Sequence, residues 1–205
     1  MQHVLYNPLF EIKNEQKRFD SLKEDHEQLL KAIETSSLID FSNFYLVRNI
    51  SYVKINDYDQ IWLKSSLDGK NKEGTVFGLI QDGYAAGIAR FEDNHLIGYL
   101  NGDDNCSYSV MIGENKIPGV AKYDINRGFI VDYIPLFPAV EVGDVVYTSG
   151  YDKIFYTGIP VGGVQAVEYR QGYQIAVVKP VSQKISRFYW LVDVNPKENI
   201  EVNLD

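Results

Sequence analysis

The sequence predicts a mainly β protein: an N-terminal coiled-coil-like helix followed by two small six-stranded β-barrels. Three observations predict it. Residues 5–36 carry apolar side chains at helical spacing. From Phe44 onward the pattern changes to short β-branched and aromatic runs separated by turn residues. And one glycine-punctuated unit occurs twice, as Gly74–Ala89 and as Gly143–Val164, which marks two related β units in one chain.

The helix opens at Asn7-Pro8, with Asn as cap and Pro in the first turn. Steps of four and three residues pass through Leu5, Leu9, Ile12, Gln16, Phe19, Lys23, His26, Leu30 and Ile33. Leu5, Leu9, Ile12, Phe19, Leu30 and Ile33 form a weak heptad seam suited to self-association. Packing of one amphipathic helix on its own domain is the alternative, and Lys23 and His26 in mid-seam speak for it. Thr35-Ser36-Ser37 breaks the helix and residues 37–43 connect it onward, so residues 1–43 form the first unit.

Strands are expected near 44–49, 52–56, 60–65, 74–80, 84–91 and 95–100, with a further one from Cys106 to Ile112. Asn56-Asp57, Asp68-Gly69, Asp82-Gly83 and Asn101-Gly102 supply turns between them. A second set is expected at 117–123, 128–134, 143–148, 161–169, 172–179 and 187–194. Alternation is clearest from Val161 to Tyr169 and from Tyr173 to Lys179. About six short strands per set favour closed barrels, because closure removes the edges that such segments otherwise expose. The boundary falls near 113: residues 44–113 for the first barrel, 114–205 for the second barrel and a polar tail.

Composition bounds the function. Hydrophobic residues make up 45% of the 205 positions, enough for a folded core. A net charge of −8 opposes nucleic acid and anionic membrane surfaces as partners. One cysteine excludes an internal disulfide and a cysteine-rich zinc site. No apolar run approaches the ~20 residues that span a bilayer. Met1-Gln2-His3-Val4 lacks the basic start and apolar stretch of a signal peptide.

The search for chemistry returns little. No metal, phosphate-loop or nucleophile-elbow motif occurs, and no cofactor is implied. His95, Asp103 or Asp104, and Ser149 follow the chain order of two-barrel serine proteases. Ser149 lies in Thr148-Ser149-Gly150, however, without the glycine-rich surroundings that build an oxyanion hole, and His95 opens a hairpin strand. Asp103-Asp104 reads as a solvated turn. What remains is surface. Tyr151, Ile154, Phe155 and Tyr156 crowd one loop, and Ile134-Pro135-Leu136-Phe137-Pro138 forms a second. Such groups either plug a barrel end or contact a partner.

Gly143-Asp144-Val145-Val146-Tyr147-Thr148-Ser149-Gly150 with Gly158-Ile159-Pro160-Val161-Gly162 resembles the signature of the MreC family of bacterial rod shape-determining proteins. Ile134-Pro135 and Val178-Lys179-Pro180 extend the resemblance, and Asp82-Gly83-Tyr84-Ala85-Ala86-Gly87 matches more loosely. It covers most of residues 44–194. The resemblance implies the same helix and two barrels, and a non-enzymatic scaffold of the cell-wall elongation complex. The implied main partner is an elongation-specific class B penicillin-binding transpeptidase, with MreD, RodA and MreB as further members. The implied place is the periplasmic side of the inner membrane, anchored by an N-terminal span that this chain lacks. The resemblance assigns no residue to the partner contact. A two-barrel hydrolase and a secreted β-rich adaptor are the competing readings.

Overall fold

The structure, a computed structural model, describes residues 43–67, 72, 74–182 and 185–194, with four further positions, 17, 20, 23 and 27. Lys17, Asp20, Lys23 and Glu27 are α-helical and exposed. Leu5, Leu9, Ile12, Phe19, Leu30 and Ile33 lie outside the described residues.

Twelve strands follow: β1 Phe44–Lys54, β2 Asp57–Lys64, β3 Val76–Gln81, β4 Tyr84–Glu92, β5 His95–Leu100, β6 Ser107–Ile112, β7 Ile117–Asp124, β8 Gly128–Pro135, β9 Val145–Thr148, β10 Pro160–Arg170, β11 Tyr173–Pro180 and β12 Phe188–Val192. The hairpin turns are made by residues that tolerate a left-handed backbone. Asp82 and Gly83 both have positive φ, as do Asp93 and Asn94, so each pair turns the chain in two residues and sets Gln81 opposite Tyr84 and Glu92 opposite His95.

The strands close two six-stranded barrels, in the orders β1-β12-β3-β4-β5-β2 and β10-β11-β8-β7-β6-β9. All neighbours run antiparallel. Membership corrects the boundary at 113. The strand at 107–112, expected in the first barrel, belongs to the second. The strand at 188–192, expected in the second, closes the first. It lies between β1 and β3, with Phe44 opposite Val192 and Trp190 opposite Ile80. The second barrel is thus an insertion between β5 and β12. Five strands cannot close the first barrel, and the chain returns to supply the sixth. The segments expected at 44–49 and 52–56 are one long strand, bent by register shifts between Asn49 and Ser51 and between Tyr52 and Lys54.

One apolar cluster fills the first barrel, including Val47, Ile61, Phe77, Leu79 and Leu191. A second runs through both barrels, from Ile80, Ile88 and Val192 to Tyr108, Val131, Phe155 and Val178. Polar groups lock the crossing between β5 and β6. The fully buried Tyr108 donates its hydroxyl to Asn101 Oδ1 at 2.9 Å, and Asn101 Nδ2 donates to the Ala85 carbonyl at 2.9 Å. Cys106 is buried beside them, and burial pushes its thiol far above the usual range, so it stays protonated. Shared core and satisfied polar groups make the two barrels one platform.

Candidate functional site

The loop between β9 and β10 carries the four residues singled out as a contact surface, and the structure divides them. Phe155 is a correction: its ring is 1% exposed and lies in the core that joins the barrels. It meets Tyr108 edge-on at a centroid distance of 5.0 Å. A Cβ placed on Gly78 of β3 would fall 2.4 Å from Phe155 Cδ1, so glycine makes the space for the ring. Ile154 is half-buried against the same core. Tyr156 is also half-buried, stacked on Phe44 at 5.8 Å, and its hydroxyl accepts a hydrogen bond from Asn43 Nδ2 at 2.9 Å. Only Tyr151 stands out, 82% exposed. The loop is therefore mainly a brace from the second barrel into the first.

The Thr148-Ser149-Gly150 motif holds this brace. Thr148 Oγ1 donates to the Tyr156 carbonyl at 2.6 Å and accepts from Ile159 N–H at 3.0 Å. Thr157 Oγ1 donates to the Ser149 carbonyl at 2.7 Å. Ser149 Oγ accepts from Tyr151 N–H at 3.3 Å, and the residue is 5% exposed. His95 sits at the exposed start of β5 in the other barrel, its Nδ1 2.8 Å from the Asp93 carbonyl and its ring edge-on to Trp62. Asp103 is buried and accepts from Gln60 Nε2 at 2.8 Å; Asp104 is exposed. Among the described residues no hydrogen bond joins His95 to Ser149 or to either aspartate. The serine-hydrolase alternative has no constellation to act with.

The second loop flagged by the sequence is largely exposed and is tied down by hydrogen bonds. It leaves β8 at Pro135 and presents Phe137, 85% exposed. Gln174 of β11 pins it from inside the barrel. Its fully buried amide donates through Nε2 to the carbonyls of Pro135 at 2.6 Å and Pro138 at 3.2 Å. Gln174 Oε1 accepts from Val140 N–H at 3.2 Å. One side chain thus satisfies three backbone groups of the loop.

Beside this loop lies a feature the sequence reading missed. Tyr133 has φ +57 in the middle of β8, a conformation that costs a bulky residue about 1–3 kcal/mol. The neighbouring register shift between Gln174 and Ala176 marks a bulge. Several contacts offset the cost. Asp132 Oδ1 accepts from Tyr133 N–H at 2.8 Å, the Tyr133 ring stacks on Tyr173 at 6.0 Å, and Lys122 Nζ sits 5.1 Å from the ring centroid. Lys122 also pairs with Asp132 at 2.7 Å, and that hydrogen bond holds its ammonium above the usual lysine range. The bulge leaves Tyr133 65% exposed on the edge where Pro135 faces Tyr173. Phe137, Tyr133 and Tyr173 together form a supported aromatic edge, the kind of rigid apolar group that concentrates binding energy when covered. One signal was legible: Gln174 occupies an inward position of an otherwise apolar alternation.

Two closed antiparallel barrels, joined by an apolar cluster that runs through both, define a protein of the double β-barrel class. The description "Rod shape-determining protein MreC, barrel core" matches residues 99–194. A solved structure described as a complex between penicillin-binding protein PBP2 and MreC from Helicobacter pylori is similar at 30% identity, over 73% of this chain and 97% of that one, with TM-score 0.68. A structure described as MreC is similar at 20% identity, over 84% and 99%, with TM-score 0.67. MreC from Pseudomonas aeruginosa is similar at 20% identity, over 74% and 99%, with TM-score 0.57. No curated protein is significantly similar in sequence. The chain belongs to the MreC family of rod shape-determining proteins.

Proposed function

We propose that this chain is a non-enzymatic scaffold that binds an elongation-specific class B penicillin-binding transpeptidase and holds it in place during lateral wall growth. One observation carries the reading: a relative at 30% identity, almost wholly covered by this chain, is described in complex with a penicillin-binding protein. The rigid inter-barrel core supports it, because a platform that does not flex loses little entropy on binding. The scaffold acts on the periplasmic side of the inner membrane, held by an N-terminal span preceding this sequence; a related structure is described as the major periplasmic domain of MreC. Among the described residues no helix is long and apolar enough to cross a membrane. MreD, RodA and MreB are further partners in this reading. The seam Leu5, Leu9, Ile12, Phe19, Leu30 and Ile33 pairs two copies, which Leu9→Asp with Ile12→Asp abolishes as a halved sedimentation mass.

The contact residues in this proposal are Phe137 and Tyr133 on the aromatic edge and Tyr151 on the brace loop, all exposed. Binding of the purified transpeptidase ectodomain is measured by surface plasmon resonance on wild type, Phe137→Ser, Tyr133→Ser and Tyr151→Ala. A hot-spot truncation costs about 2 kcal/mol or more, roughly thirty-fold in Kd. At least one variant is expected to reach that loss with an unchanged melting temperature. Absence of wild-type binding overturns the scaffold reading; wild-type affinity in all three variants overturns these contact residues.

A further inference from the structure

We propose that Asp132 and Lys122 are positioning residues that hold Tyr133 in its left-handed backbone conformation and thereby present its ring for partner contact. The inference rests on the reading of Tyr133 as a contact residue and names the groups behind that contact. Tyr133 is an outlier of the kind that clusters at functional positions: a bulky residue at φ +57 inside a strand. Glycine or asparagine takes that conformation at lower cost. A tyrosine carries the cost here while its ring stays 65% exposed, so burial does not explain it.

The support comes from two side chains. Asp132 is 7% exposed, and its two carboxylate oxygens have separate tasks. Oδ1 accepts from the Tyr133 N–H at 2.8 Å and so fixes the strained peptide. Oδ2 meets Lys122 Nζ at 2.7 Å. Lys122 comes from β7, which pairs with β8, and its Nζ also lies 5.1 Å from the Tyr133 ring centroid. One ammonium therefore orients the carboxylate that holds the backbone and attracts the ring that the backbone presents. Tyr173 of β11 stacks on the same ring at 6.0 Å, so both strands that flank β8 contribute to its placement. A ring fixed before binding loses little freedom on contact. Asp132 is too buried to meet a partner, so its effect on binding passes through the groups it holds.

The test has one arm on the free chain and one on the complex. Backbone amide exchange is followed by NMR in the full chain for wild type, Asp132→Ala, Asp132→Asn and Lys122→Met. Losing a hydrogen bond to a charged acceptor shifts an opening equilibrium by about ten-fold or more. In Asp132→Ala the Tyr133 amide is expected to exchange about ten-fold faster, measured against the Ala121 and Val177 amides of the flanking strands. Asp132→Asn keeps an acceptor and Lys122→Met keeps the stem, so both are expected to fall between it and wild type. Unchanged exchange at Tyr133 overturns the proposal. So does an equal rise at Ala121 and Val177, which marks a general loosening of the barrel. In the second arm the transpeptidase ectodomain is titrated onto wild type, Asp132→Ala, Tyr133→Ser and the double variant. Asp132→Ala is expected to weaken binding about ten-fold in the wild-type background and to add nothing in the Tyr133→Ser background. Multiplicative losses, or wild-type affinity in Tyr133→Ser, overturn the positioning role. Absence of wild-type binding overturns the scaffold reading instead, and the exchange arm then decides whether the two residues hold Tyr133.

Discussion

Phe155→Ala is the sharpest test of the platform. The side chain is 1% exposed and touches both barrels, through Tyr108 on one side and the backbone space at Gly78 on the other. Truncating such a ring costs about 3–5 kcal/mol. At roughly 2–4 °C per kcal/mol for a chain of this length, the melting temperature falls by about 6–20 °C. Gly78→Ala supplies the control. Its new methyl group collides with Phe155 Cδ1 at 2.4 Å and Cε1 at 2.5 Å, and with the Ile154 carbonyl at 2.9 Å. Overpacking of that kind costs about 1–3 kcal/mol. With the ring removed, the two shortest of these contacts are gone and the carbonyl contact remains. The double variant is therefore expected to be less destabilised than the sum of the singles, by about 1–2 kcal/mol. Urea unfolding of the four proteins gives the cycle directly. Additivity within about 0.5 kcal/mol would refute the placement of Phe155 against Gly78, and a wild-type melting temperature for Phe155→Ala would return the ring to the surface.

Gln174→Leu strips three backbone groups of their partner, and an unsatisfied buried group costs about 1–3 kcal/mol. A loss of about 2 kcal/mol is expected, with faster hydrogen exchange at the Val140 amide; unchanged exchange would show that the loop is held otherwise. Asp59→Asn is expected to stabilise the protein at neutral pH. The folded state raises the Asp59 pKa, so the native chain binds more protons than the unfolded chain between the unfolded value near ~3.9 and the raised folded value. Wild-type stability falls as pH climbs through that window, and the variant escapes the fall; the two converge in acid. Parallel stability–pH curves would count against the assignment. Ser149→Ala is expected to cost under ~1 kcal/mol, since its hydroxyl makes one 3.3 Å contact, and a fluorophosphonate probe is expected to label neither protein. Serine-dependent labelling would reinstate the hydrolase.

Much of this architecture was legible from local chemistry. Side-chain period two in Val161–Tyr169 and Tyr173–Lys179 marked β10 and β11, because a strand sends alternate residues to opposite faces. Asp82-Gly83 marked its hairpin because few other pairs accept positive φ twice in succession. The glycine-rich signature around Thr148-Ser149-Gly150 located the brace loop, and its roles there are hydrogen-bonding ones. Phe155 beside Tyr151 was ambiguous in one dimension, since both are large rings in one loop. Only the packing of a second barrel against Gly78 separates the buried ring from the exposed one.

Strand type and the turns at Asn56-Asp57, Asp82-Gly83 and Asn101-Gly102 were thus properties of the sequence by itself, while the turn expected at Asp68-Gly69 lies outside the described residues. Membership of the barrels was not. Phe44 pairs with Val192 across the whole inserted barrel, and no local pattern encodes a partner so distant. Likewise the bulge that turns Tyr133 outward arises from mismatched register with β11, not from a residue that prefers positive φ. Local propensity acts over a few residues, whereas closure is decided by which pairing buries every apolar face and leaves no edge unpaired. That second decision belongs to the folded chain as a whole.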